Sequence, residues 1–325
     1  MNYKLFLTVP LIATVAACGG GGGTPPVDET NTLNLAGEEK MPTIAEFLNS
    51  ADNEEFFVPV YTVKRDGITT EFNNYRRDDD VEIFVEKDQD GDPRLIVQAF
   101  GDEIILDKDA VLKDYPNTFF IAKGDTNYYI EFADTPAIAD FVNGTANAKY
   151  HIPFSIHKFP STATAENQLD GYRGAYGAAG FVTPTARLPQ TTANYSGIWR
   201  GIAIETADYS NTAFESDAAL SLNFANDVFL GSFTNMEKWD SETKQWIAWS
   251  EIDDLNLTNI QNLGDGYLFG EVTSTCESCA AYGDFSLNVF GPNGQEVAGG
   301  AHVTINRGHE DDVFLTGVVT TITDN

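Results

Sequence analysis

From residue 194 to the end, apolar and polar positions alternate in runs broken by clusters of Gly, Asn and Asp. That is the pattern of strands and turns. Eight runs have it: 194–206, 213–224, 227–236, 245–258, 262–274, 281–290, 295–306 and 312–323. In "NYSGIWRGIAIE", Tyr195, Gly197, Trp199, Gly201 and Ala203 share one face, and Ser196, Ile198, Arg200, Ile202 and Ile204 the other. Glycine beside a large aromatic suits a small, strongly curved sheet. Eight such strands predict an antiparallel up-and-down barrel, which leaves no open edges. Strands of about ten residues are long enough to span a membrane. Asp217, Glu251, Asp253 and Asp254 interrupt the faces, however, so a water-soluble barrel is predicted.

The first half is also β-rich. "FFVPVYTVK", "VEIFVEK", "RLIVQAF", "EIIL", "NTFFIA", "NYYIEFA" and "KYHIPFSIHKF" read as strands, and 43–50 and 135–143 as short helices. Asp88, Asp90 and Asp92 invite a calcium loop, but Gly91 stands fourth where such a loop needs glycine sixth. A hairpin turn is the better reading. Residues 161–192 are rich in Ala, Gly, Thr and Pro and read as a linker between a β-rich domain at 43–160 and the barrel at 193–325.

The N-terminus carries an address. Lys4 precedes an apolar run over 5–17, the layout of a secretory signal and too short for a spanning helix. Val15-Ala16-Ala17-Cys18 resembles the lipobox of bacterial lipoproteins. That resemblance implies cleavage after residue 17 and acylation of Cys18, an anchor of several acyl chains. Gly19 after the cysteine points to the outer membrane. Residues 18–42, with "GGGGGTPPVDETNT", form a tether that cannot pack a core.

Charge narrows the partners. The 325-residue chain carries a formal net charge of −30, and from 191 onward it has 4 Lys and Arg against 20 Asp and Glu. Such a surface repels nucleic acid and anionic head groups and attracts basic partners; solubility alone also accounts for it. Besides Cys18 the cysteines are Cys276 and Cys279, in "TCESC". Ala280 after the pair excludes c-type haem attachment, and no second CxxC completes a zinc site. A redox pair opens a helix, whereas both flanks here read as strands. A disulfide joining the fifth and sixth barrel strands is predicted, worth roughly 2 kcal/mol for so short a loop.

Two further stretches carry a resemblance. "GAAGFVTPTARLPQTTANYSGIWRG" (177–201) has a Thr-Pro segment, a Pro turn and an A-x-Y-x-G strand start. "FSLNVFGPNGQEVAGGAHV" (285–303) has Phe290, Gly291, Pro292, Glu296, Gly299 and Gly300. Together they resemble the barrel domain of transferrin-binding protein B-like surface lipoproteins. The resemblance implies a soluble eight-stranded barrel beside a β-rich handle-like domain. It implies display on the cell exterior through an outer-membrane translocator of the Slam type. It also implies binding of an iron source: haem, haemoglobin or another iron-carrying protein. The best-known members have two handle-barrel lobes, whereas this chain has room for one. The motif residues themselves build turns and bends and are structural.

Candidate contacts lie in the loops. Trp239, in "NMEKWDSETKQWIAW", sits in a polar hairpin loop; an exposed Trp among polar groups suits a contact site, and rim packing is the alternative. His309, in "NRGHEDD", is a candidate haem ligand, although Asp311 and Asp312 would repel the propionates. No G-x-S-x-G, H-E-x-x-H or phosphate loop occurs, so catalysis is not expected, and no metal or cofactor is. The reading is therefore a lipid-anchored, non-catalytic binding module in iron or haem acquisition. The alternative is an adhesin or evasion lipoprotein with a protein partner and no iron role.

Overall fold

The structure is a computed structural model. It describes residues 43, 46, 56–58, 60–66, 81–87, 93–106, 111–112, 115–131, 148–162, 171–205, 210–275, 280–307 and 312–324. The signal, Cys18, the tether and the helix expected at 135–143 lie outside the described residues. Of the helix expected at 43–50, Thr43 and Glu46 are described. They exchange capping bonds: Glu46 N–H donates to Thr43 Oγ1 (3.1 Å) and Thr43 N–H to Glu46 Oε2 (2.9 Å).

The first half contributes β1 (Phe56–Val58), β2 (Val60–Asp66), β3 (Val81–Lys87), β4 (Pro93–Ala99), β5 (Asp102–Leu106), β6 (Val111–Leu112), β7 (Tyr115–Lys123), β8 (Thr126–Glu131), β9 (His151–Pro160) and β10 (Arg173–Gly180). They form two antiparallel sheets, β1-β3-β4-β5 and β2-β10-β9-β8-β7-β6. The sheets face each other across an apolar layer that includes Val81, Ile83, Val97, Ile104, Phe119, Ile130 and Phe154. Asp102 pins the four-stranded sheet to the six-stranded one: the Tyr128 hydroxyl donates to it, and Lys158 Nζ lies at 2.9 Å. These two groups hold the Asp102 carboxyl below its usual range.

The linker reading of 161–192 fails at β10. Residues 173–180, "RGAYGAAG", are a central strand, hydrogen-bonded to β2 and β9 and buried along nearly its whole length. Small residues stand there because both faces are covered. A Cβ on Gly180 would overlap the Tyr150 carbonyl oxygen.

The second half follows as β11 (Ala193–Glu205), β12 (Asn211–Asn223), β13 (Val228–Asp240), β14 (Gln245–Ala248), β15 (Leu255–Asn262), β16 (Tyr267–Thr275), β17 (Ala280–Phe290), β18 (Glu296–Asn306) and β19 (Val313–Thr323). Eight of these close a barrel in the order β12-β11-β19-β18-β17-β16-β15-β13, with β13 returning to β12. The predicted up-and-down barrel is therefore the fold. One predicted strand differs: 245–258 breaks into β14 and β15, and the next run begins at Tyr267 rather than 262.

The lumen is filled. Trp199, Phe214, Phe233 and Phe285 are at most 1% exposed, and Trp199 stacks on Phe233 with ring centroids 4.4 Å apart. The barrel is thus a core rather than a ligand cup. Gly201 lies where β11 meets β19 so closely that a Cβ would overlap the Thr316 carbonyl oxygen. One end of the barrel is closed by 181–192. Leu188 joins the core, and Thr183 N–H donates to the Val289 carbonyl (2.8 Å).

The six-stranded sheet lies on the barrel's outer wall, where β9 and β10 pack on β18 and β19. Accordingly β18 is buried on both faces from Glu296 to Ile305. Elsewhere the wall carries Arg200, Glu215 and Asp217 rather than a lipid-facing apolar band. No helix among the described residues is long and apolar enough to cross a membrane.

Candidate functional site

The seam between sheet and barrel holds the three histidines among the described residues, all buried. His151 Nδ1–H donates to Glu296 Oε2 (2.8 Å), and its Nε2 meets Thr320 Oγ1 (2.8 Å). Glu296 also accepts the amides of Lys149 (2.7 Å) and Tyr150 (2.9 Å), so this buried carboxylate is satisfied by three donors. His302 lies 3.0 Å from Thr316 Oγ1, and His157 lies 2.8 Å from the Tyr172 hydroxyl. Of the three, His151 joins sheet to barrel, while the bonds of His302 stay within the barrel wall and those of His157 within the six-stranded sheet. None presents a ring nitrogen outward.

The other end of the barrel gathers the connections that sequence reasoning singled out. The ends of β11, β13, β16 and β18 meet there. Cys276 and Cys279, between β16 and β17, and His309, between β18 and β19, lie outside the described residues. Trp239 is described. It sits near the end of β13, 38% exposed, opposite Trp246 of β14.

The β13–β14 hairpin forms for local reasons. Asp240 accepts the Glu242 amide (2.8 Å) and the Thr243 hydroxyl (2.7 Å), while Lys244 N–H donates to the Asp240 carbonyl (2.8 Å). The bonds from Thr243 and Glu242 hold the Asp240 carboxyl below its ordinary value. Lys244 takes the left-handed φ of 55° that closes the turn. The result places Trp239 edge-to-face on Trp246, centroids 5.6 Å apart, with Ile247 exposed at 39%.

Cations brace the hairpin from below. The Arg200 guanidinium lies 5.8 Å from the Trp246 ring and donates from Nε and Nη2 to Glu215, the former at 2.7 Å. Glu131 of β8 also lies within electrostatic reach of Arg200. Burial raises its carboxyl above the ordinary value, and Arg200 opposes that only in part. Trp249, buried, has Lys238 at 5.0 Å and Arg307 at 5.9 Å from its ring, and Arg307 pairs with Glu251 at 3.1 Å.

The interruption of the predicted strand has a cause in this region. Trp249 N–H still donates to the Met236 carbonyl (2.8 Å), and Leu255 pairs with Phe233. Between them Ser250–Asp254 form a bulge opposite Asn235, itself at φ 54°, with Ile252 buried in the barrel core. The bulge walls an open pocket of about 530 Å³, lined by Asn235, Met236, Trp249, Asp253, Asp254 and Asn256 among others. Reasoning on sequence found Trp239 but missed Trp246, Ile247 and Arg200. The signal for Trp246 was present: folding "WDSETKQW" about its centre sets the two tryptophans opposite each other.

Among known proteins, no sequence family matches the chain. No curated protein does either. Among solved structures, the chain is similar to a tryptophan-to-alanine mutant of the vaccine antigen transferrin-binding protein B from Haemophilus parasuis, with a TM-score of 0.42 and 12% identity. The match covers 82% of this chain and 45% of that one, so the chain spans less than half that protein's length.

Proposed function

We propose that the protein is a non-catalytic binding module, anchored through Cys18 to the outer membrane, displayed outward by a Slam-type translocator, and engaged with a protein partner at the β13–β14 hairpin. The observation that carries the binding reading is the half-exposed Trp239–Trp246 pair beside exposed Ile247, on a hairpin fixed by its own turn and by Arg200. Rigid aromatic anchors of this kind dominate protein interfaces. A filled barrel directs recognition to its rim.

The partner class we propose is an iron-carrying protein such as haemoglobin, as the motif resemblance implies. Capture of free haem fits less well, because His151, His157 and His302 are buried and hydrogen-bonded. His309 remains a proposed contact.

Titration of the isolated protein in mild detergent with haemoglobin, and with haemin in excess albumin, tests this. Saturable haemoglobin binding is expected, weakened about 30-fold in Trp239→Ala, the loss typical of a central tryptophan anchor. One-to-one haemin uptake that survives albumin and ignores Trp239→Ala would contradict it. If neither binds, the iron role falls and the adhesin or evasion reading takes its place.

A further inference from the structure

The barrel has one strand that it does not close. β14 pairs with β13 alone among the described residues. The bond from Trp249 N–H to the Met236 carbonyl sets the alternation along this ladder. Ile247 then exchanges bonds with Lys238, and Trp246 and Ala248 turn their backbone N–H and C=O to the open side. Gln245, Ile247 and Ala248 are exposed. Proteins guard such edges with lysine, proline, bulges or covering loops. Here "QWIA" has no charge and no proline, in a chain of which 21% is charged.

What surrounds the edge is acidic. Glu242, Glu251, Asp253 and Asp254 are exposed about it, against Lys244 in the turn, half-buried Lys238 opposite Ile247, and Arg307, which pairs with Glu251. Ala248, the last residue of the strand, also lines the pocket that holds Asp253 and Asp254. The open ladder therefore runs into an acidic recess. An acidic segment would be repelled, and so would a second copy of this chain, itself at −30.

We propose that β14 takes an extended basic segment of the partner protein as an added strand, its backbone bonded to Trp246 and Ala248, an apolar side chain against Ile247, and a lysine or arginine side chain in the recess. This is strand addition: main-chain bonds supply affinity and alternate side chains supply choice. It rests on the reading that the hairpin end takes a protein partner.

The test uses the isolated protein in mild detergent and an eight-residue peptide of alternating lysine and valine, acetylated and amidated. A control peptide has proline in place of each valine; it keeps the charge but loses half its amide donors, and the fixed φ of proline, about −65°, cannot follow an antiparallel strand. Tryptophan fluorescence reads binding, and amide hydrogen exchange reads Trp246 and Ala248. The valine peptide is expected to bind at least tenfold tighter than the proline peptide and to protect both amides. Ala248→Pro removes one outward N–H at an edge position that tolerates proline, and is expected to abolish the difference. Should that variant fail to fold, Ile247→Lys is expected to weaken the valine peptide about tenfold.

Equal binding of the two peptides, or valine-peptide binding that leaves Trp246 unprotected, would overturn strand addition. The haemoglobin titration separates this from the parent reading. Haemoglobin binding with no peptide binding would sink the added strand alone. Peptide binding without haemoglobin binding would sink the iron carrier and leave the strand site standing.

Discussion

Glu131 shows how a single carboxyl sets a pH dependence. It ends β8 near Arg200, and burial raises it above the ordinary carboxylate value despite that cation. Asp284 is raised in the same way, by burial and by Glu271 across the ladder. A carboxyl raised in the folded state binds its proton longer than in the unfolded chain. Its contribution to stability therefore falls as pH rises from the ordinary carboxylate range through the raised value. Glu131→Gln removes that loss. The variant is expected to melt higher than wild type at pH 7 and level with it near about pH 4. A lower midpoint at pH 7 would mean that attraction to Arg200 outweighs burial.

At the scale of elements, the barrel strands were legible because their inward positions alternate cleanly. Tyr195, Trp199 and Ala203 are buried as that alternation requires. β10 was not legible. A strand covered on both faces and closely approached carries Gly and Ala, and such composition reads as a linker. The break at Ser250–Asp254 was hidden for another reason: Ile252 and Leu255 carry the apolar positions on after "QWIAW", and only pairing with β13 reveals the bulge. Of the candidate site, Trp239 could be read from its polar setting. Arg200 could not, because its role arises from the register that sets β11 beside β12 and, beyond it, the hairpin. The same close pairing makes a test. Gly201→Ala would push a methyl into the Thr316 carbonyl of β19, and overpacking of this kind costs about 1–3 kcal/mol. Urea unfolding should show a lower midpoint with an unchanged slope. An unaltered midpoint would show that the β11–β19 ladder yields freely.

For the whole molecule, three layers divide the work. The four-stranded sheet covers the six-stranded sheet, which covers the barrel wall, and His151–Glu296 ties the last two together. The proposed partner contact is the β13–β14 hairpin, at the barrel end opposite the one closed by 181–192. The central claim is that the hairpin and its acidic recess, rather than the seam, meet the partner. Amide hydrogen exchange across the full chain, alone and with saturating haemoglobin, tests it most directly. The account predicts new protection concentrated in 236–254, with β9, β10 and β18 unchanged. Absence of saturable binding, or protection confined to the six-stranded sheet and the seam, would contradict it.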